Sequence, residues 1–220
     1  MGSRGGSAVS AATVPNLNER AFEAVEAWRS RPPERAHPHV YADGIHLKRS
    51  WGGSCENVAA MVAIGVDDDG CREAIGAAEG FAESSECWRE LLSRLRSRGL
   101  RGVRMFTGDK AAGMAGSIAE VFPEAAYRRR TVHFCRNVLA RVPKTGRPRV
   151  AAMLKAIHAM EPREAAEAKA LEVASELEKS KPREAAMVVG DGCAETLTYA
   201  RFPRGHWRRI RTDNAIERLN

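Results

Sequence analysis

The sequence predicts an α/β protein whose mixed sheet is followed by an all-helical block. Three strand-like stretches joined by short connections open the region after residue 39. Short apolar stretches then alternate with helical patterns up to about residue 142. Past Pro148 nothing alternates as a half-buried strand does, and apolar residues recur at helical spacing instead. Strands mixed with helices and then helices alone indicate a sheet-based core carrying a helical insertion.

The first three strands are predicted to form a meander. The first covers roughly 40–48, and the second, 57–66, is apolar throughout, as a strand buried on both faces is. The stretch "DDDG" at 67–70 is typical of a turn and leads back into a third strand at 71–80.

The remaining core elements alternate in type. Ser84 or Ser85 is a candidate N-cap and Gly99 a stop signal for the first of these helices. The predicted order is that helix, a strand at 102–106, a helix ending at Pro123, a short fifth strand within 125–134 and a helix over 134–142.

Four regions follow from these patterns. Residues 1–36 are interpreted as a linker or the remnant of a larger upstream module, 37–143 as the core, and 144–205 as the helical insertion. Residues 206–220 begin a last core helix that stops before it is long enough to bury a face, so the chain is expected to be cut short.

Charge favours a polyanionic partner. The 220 residues carry a net charge of +7, and arginine is dense in "AYRRRTVHFCRNVLAR" and "RFPRGHWRRIRTDNAIERLN". Arginine binds phosphate oxygens well, although a solvated basic helix face explains such a run equally well. The five cysteines lack CxxC spacing, and no signal peptide or membrane span is present, so a reduced cytoplasmic protein is expected.

Two aspartates occupy comparable places. Asp43 lies within or just past the first strand, and Asp109 directly follows the fourth. If those strands are neighbours, the two carboxylates meet and require a cation, for which Mg²⁺ or Mn²⁺ is suited. Glu217 is the candidate third ligand of a two-metal site that cuts phosphodiesters. The alternatives are that Asp43 and Asp109 merely form turns beside glycine, and that Glu217 is a surface residue.

Long motifs in one order carry a family resemblance. They are "YADGIHLKRSWGG", "VAIGVDDDGCREAIGAAEG", "GLRGVRMFTGDKAAGM", "TVHFCRNVLARVPK" and "HWRRIRTDNAIERLN". From about residue 10 to its end the chain resembles the Mutator-type DDE transposases of bacterial insertion sequences. The resemblance implies a ribonuclease H-like mixed sheet with an all-helical insertion before the last core helix.

The resemblance also implies the chemistry. Asp43, Asp109 and Glu217 match the acidic triad that binds Mg²⁺ (or Mn²⁺) for DNA cleavage and strand transfer at the element's terminal repeats. The implied partners are those double-stranded ends, the target DNA and further copies of the chain. Lys48, Lys110, Arg211 and Arg218 are the implied DNA contacts.

Three departures from the family pattern stand out. The family's Cys-x-x-His motif keeps His133 but has Arg130 at the cysteine position, so no structural zinc is expected and His133 is interpreted as packed or hydrogen-bonded. Asp213 replaces an asparagine near Glu217. The N-terminal helix-turn-helix region of the family is represented only by its tail, within residues 1–36, and the last helix is short.

Three functions remain open at this point. The first is a transposase catalytic domain, encoded by a truncated copy, and the second is a catalytically inactive DNA-binding fragment that interferes with intact transposase. The third is a general ribonuclease H-like repair nuclease, against which the helical insertion argues. A purely structural helical protein leaves the two strand-end acids unexplained.

Overall fold

Five strands form one mixed sheet. They are β1 (His39–Trp51), β2 (Ser54–Val66), β3 (Arg72–Gly80), β4 (Met105–Gly108) and β5 (Ala126–Arg129), in the spatial order β3-β2-β1-β4-β5. The computed structural model describes residues 13–51, 54–80, 84–109, 113–180 and 182–210. β1, β2 and β3 pair antiparallel, whereas β4 and β5 extend the sheet in parallel from β1. The predicted meander and the mixed α/β class are therefore confirmed.

The fourth strand begins later than the sequence predicted. The expected range was 102–106, but β4 starts at Met105 because its pairing with β1 starts at His39, opposite Met105. Val103 is 2% exposed although it precedes the strand. An apolar residue buried in a loop therefore made the stretch resemble a longer strand. Gly102 has φ +72°, a left-handed backbone that does not continue a strand.

Eight α-helices surround the sheet within the described residues. They are α1 (Thr13–Ser30), α2 (Ser85–Ser97), α3 (Met114–Val121), α4 (Thr131–Ala140), α5 (Arg147–Ala159), α6 (Arg163–Lys179), α7 (Arg183–Thr196) and α8 (Arg204–Ile210). Ser84 is the N-cap of α2, and its hydroxyl accepts a hydrogen bond of 3.2 Å from the backbone N–H of Cys87. α4 begins at Thr131, three residues before the predicted start, directly after β5. None of the helices in the described ranges is long and apolar enough to cross a membrane.

Two apolar clusters cover the sheet. One joins β1, β2 and β4 to α2 and α3 and contains fully buried Trp88, Leu95 and Phe106. The other joins Met105 of β4 to α4 and to the helices of the 147–196 block, through Phe134 and Ile157 among others. The helical block thus shares a core with the sheet: α7 contacts β5 directly, and α4 packs on α5 and α7. Burial of these faces, rather than helix propensity, supplies most of their stability.

Candidate functional site

Three side chains stand in a row because their strands are in register. Tyr41 of β1 is opposite Thr107 of β4, which is opposite Arg128 of β5. Two residues further along each parallel strand lie Asp43, Asp109 and Arg130. Since side chains two apart share one face of a strand, all three emerge from the same face where the parallel pairing ends. The carboxyl ends of parallel strands are where open α/β sheets bind ligands.

Asp43 does not form a turn. It lies inside the continuous strand β1, opposite Val62 of β2, and the following Gly44 is opposite Met61. Its Oδ1 accepts a hydrogen bond of 3.0 Å from the backbone N–H of Gly44. The turn alternative for Asp43 is therefore wrong. The carboxylate directly follows the buried stretch Val40 to Ala42, so a polar partner beside it is favourable.

That partner is Arg130, which reaches both aspartates. Its Nη1 donates a hydrogen bond of 2.9 Å to Oδ2 of Asp43, and its Nε lies 3.8 Å from Oδ1 of Asp109. The Arg130 side chain is 2% exposed, against 20% for Asp43 and 26% for Asp109. Asp109 is on the middle strand, so the long arginine passes it to reach Asp43. One buried cation therefore brings the two carboxylates together.

The segment after β5 holds Asp109 from a second direction. Nδ1 of His133, one helical turn beyond Arg130, lies 2.6 Å from Oδ2 of Asp109. The interpretation of His133 as a hydrogen-bonded residue agrees with this contact, which also makes it a member of the site. The hydroxyl of Tyr127 donates to the backbone oxygens of Gly108 and Asp109, at 3.3 and 2.9 Å. Burial raises the pKa of Tyr127, so the phenol keeps the proton it donates.

Close approach of two backbones depends on Gly108. A Cβ at this position would stand 2.9 Å from the backbone oxygen of Ala42 and 2.5 Å from the sulfur of Met114. Ala42 and Gly108 directly precede the two aspartates. The absence of a side chain at Gly108 therefore sets how near Asp109 lies to Asp43.

The buried arginines correct one inference from charge. The run Arg128 to Arg130 was interpreted as part of a basic surface for nucleic acid, yet its members are only 0%, 3% and 2% exposed. Arg128 donates a 2.5 Å hydrogen bond to the backbone oxygen of Ile210, and Arg129 lies over the ring of Phe134 at 5.3 Å. Arg128 and Arg129 therefore join β5 to the helices, Arg130 contacts the two aspartates, and the buried run does not form an exposed basic surface.

The remaining predicted site residues are placed as follows. Lys48 is exposed on β1, and an odd separation of five residues directs it to the opposite face of the strand from Asp43. Lys48 and Asp43 are therefore not brought together. Outside the described residues lie Lys110, Arg211, Asp213, Glu217 and Arg218.

The donor atoms fit a hard divalent cation, but a positive charge already lies beside them. Carboxylate oxygens are the ligands that Mg²⁺ and Mn²⁺ prefer, and both aspartates are partly exposed. Among the described residues no group of three or more His, Cys, Asp or Glu is placed to hold a metal, and the expected third ligand, Glu217, lies outside them. The guanidinium of Arg130 already contacts both aspartates.

Sequence reasoning missed Arg130 as a partner of the two acids. It was noted as a departure from a family motif and as part of an arginine-dense stretch. The available signal was its position directly after the last residue of β5, just as Asp109 directly follows the last residue of β4. Using that signal requires the register of three strands, which the sequence does not state.

Comparison with known proteins covers nearly the whole chain. Residues 3–220 match the family described as "Transposase, Mutator family". The chain is 33% identical over 217 residues to the transposase for insertion sequence element ISRM5 of Rhizobium meliloti, which covers 98% of this chain and 54% of the relative. It is 32% identical over 214 residues to the transposase for IS1081 of Mycobacterium tuberculosis, covering 96% and 51%.

A third relative agrees over a shorter stretch. The transposase for insertion sequence element IST2 of Acidithiobacillus ferrooxidans is 36% identical over 166 residues, 75% of this chain and 56% of the relative. The chain thus spans about half the length of the curated relatives it matches. On the extent of these matches, the chain belongs to the Mutator family of transposases.

Proposed function

We propose that the chain carries the catalytic core of a DDE transposase, which cuts double-stranded DNA at the terminal repeats of its insertion sequence and joins the freed strands to target DNA. The observation that carries the proposal is the parallel pairing of β1 with β4, which brings Asp43 and Asp109 to one edge of the sheet. Two partly exposed carboxylates sharing one cation in this position form the beginning of a phosphodiester-cutting site.

The strand order supports a ribonuclease H-like core. Three antiparallel strands are followed by two parallel strands on the side of β1, and helices cover both faces. The 147–196 helical block then follows α4 in the chain, as an insertion before a last core helix requires.

Asp43, Asp109 and Glu217 would hold the metal ions, which supply Lewis-acid activation of the attacking hydroxyl and stabilise the leaving oxygen. His133 and Tyr127 hold Asp109 by its carboxylate and its backbone, so they position that ligand. Lys110, Arg211 and Arg218 are proposed to contact DNA phosphates, and further copies of the chain are expected on the DNA. Light scattering of the chain with and without a duplex measures that assembly.

The test is metal-dependent cleavage of labelled duplexes carrying the two ends of the element that encodes the chain. We expect strand cuts at those ends in Mg²⁺ or Mn²⁺, and a cleavage rate more than about 100-fold lower in Asp109→Asn. Losing a residue that only supports a metal ligand already costs about 10- to 100-fold in activity, so losing the ligand itself should cost more. Asp191→Asn, at an exposed aspartate of α7, is the matched control and should cut as the parent does.

Other outcomes would replace the proposal. Equal cutting of scrambled ends would favour the general nuclease. DNA binding without any cutting would favour the inactive DNA-binding fragment, for which the charge compensation by Arg130 is the supporting observation. Cleavage by Asp109→Asn at the parent's rate would remove the role of the acids.

A further inference from the structure

Arg130 occupies the place and supplies the charge that a cation between Asp43 and Asp109 would. Its Nη1 lies 2.9 Å from Asp43 Oδ2 and its Nε 3.8 Å from Asp109 Oδ1. With the side chain only 2% exposed, water screens these contacts weakly. The two carboxylates therefore have a built-in counter-ion.

A divalent ion on the same oxygens would be repelled by that guanidinium. Like charges a few ångströms apart repel strongly at the effective dielectric of a protein site, more than they do in water. The guanidinium carries its positive charge throughout, so the repulsion remains as long as the side chain stays in place. The guanidinium must move away or the ion binds more weakly.

The way in which Arg130 is held favours movement over rigidity. Its Nε and Nη2 have no hydrogen-bond partner among the residues that the structure describes, so Nη1 to Asp43 is its one such bond there. A side chain fixed by several carbonyl oxygens would stay in place when the carboxylates turned to another cation. Arg130 is held mainly by the charges for which a metal ion would compete.

We propose that Arg130 is an internal counter-ion that competes with divalent metal for Asp43 and Asp109 and so sets the metal affinity of the site. The inference rests on the proposed function, because it concerns the metal on which that function depends. Without metal, Arg130 keeps the two carboxylates together. With metal, its displacement weakens binding by the free energy of the contacts that it gives up.

The test is calorimetric titration of the full chain with Mn²⁺, independent of any cleavage. Arg130→Gln removes the charge and keeps a hydrogen-bonding side chain, and Arg130→Met keeps length and apolar packing. We expect both to bind Mn²⁺ at least about tenfold more tightly than the parent does, a modest share of the repulsion above. Arg35→Gln, at an exposed arginine that is paired with Asp67, should match the parent.

Two further measurements locate the effect. Adding Asp43→Asn to Arg130→Gln should abolish the gain, since the metal would lose a ligand. Circular dichroism checks whether each variant is folded. A variant that is unfolded without metal should fold as Mn²⁺ is added if the ion replaces the lost counter-ion.

The outcomes separate this inference from the function beneath it. Equal Mn²⁺ affinity in the parent and both Arg130 variants would overturn the competition and leave the metal site standing. Weaker binding by the variants would show that Arg130 supports the ligands, which also overturns it. No binding by the parent or by either folded variant would overturn the metal site and the inference together.

Discussion

Two ion pairs near β1, one beside its first residue and one inside the strand, are of the same kind but differ in which partner is buried. Beside its first residue, Asp67 follows β2 and pairs with Arg35 at 2.8 Å. There the carboxylate of Asp67 is only 7% exposed, whereas the arginine side chain is 59% exposed. Further along β1 the burial is reversed: the Arg130 side chain is only 2% exposed, whereas its partner Asp43 is 20% exposed.

This difference distinguishes an aspartate that shapes the chain from one that can bind a ligand. Asp67 accepts a 2.7 Å hydrogen bond from the backbone N–H of Cys71 and closes the turn before β3. Its hydrogen bond with Arg35 is the main reason that the pKa of Asp67 is lowered. Asp43 makes no turn, and its partly exposed side chain shares Arg130 with Asp109. Burial of the cation, with the acids left accessible, marks the candidate site.

The largest effect is expected from removing the buried arginine, Arg130. Arg130→Gln removes the guanidinium that contacts both carboxylates, and we expect the metal-free chain to lose about 2–3 kcal/mol of unfolding free energy, somewhat less than a fully buried pair because the acids are partly exposed. Arg35→Gln, the same substitution at the exposed arginine, should leave the unfolding free energy close to that of the parent. Urea denaturation of the three proteins measures both, and similar losses in the two variants would refute the distinction.

A smaller effect is expected from separating β1 and β4 at the site. Gly108→Ala places a methyl 2.9 Å from the Ala42 oxygen and 2.5 Å from the Met114 sulfur. We expect a loss of about 1–3 kcal/mol by overpacking, together with weaker Mn²⁺ binding as Asp109 moves. Gly116→Ala in α3 meets nothing within 4 Å and should be neutral or stabilising by up to about 1 kcal/mol. A Gly108→Ala chain as stable as the parent would mean that the strands can part freely.

The effect that is smallest near neutral pH concerns His39, at the start of β1, and appears as the solution is acidified. Burial, followed by the nearby His206 and Arg104, lowers the pKa of His39 from 6.5 to about 4. The unfolded chain therefore takes up a proton near pH 6.5 that the folded chain refuses until about pH 4. This part of the stability is complete above pH 6.5 and is lost as the pH falls towards 4, by about 2 kcal/mol at pH 5 and about 3 kcal/mol at pH 4.

Unfolding free energies measured across that window check the effect. His39→Leu should flatten the pH dependence between pH 6.5 and 4, because no group is left at that position to titrate. His46→Leu, at an exposed histidine of the same strand, should leave the dependence as it is in the parent. An unchanged slope in His39→Leu would assign the acid sensitivity to other groups.

Local patterns predicted most of the elements. The turn at 67–70, the Ser84 cap and the helical spacing past Pro148 each depend on neighbouring residues, and all three appear in the structure. The start of β4 was placed too early because burial of Val103 in a loop leaves the same apolar signature as burial in a strand. The arginines after Tyr127 appeared to form a surface because composition does not reveal which charged residues are covered.

The sequence by itself determined the chemical types present, the order of strands and helices, and the family. It also placed Asp43 within or just past the first strand and Asp109 directly after the fourth, since that depends only on where the apolar runs lie. Only the tertiary structure decided that β1 and β4 are neighbours and that Arg130 lies between the acids. Register across three strands couples residues 43, 109 and 130, and such long-range coupling depends on packing both faces of the sheet.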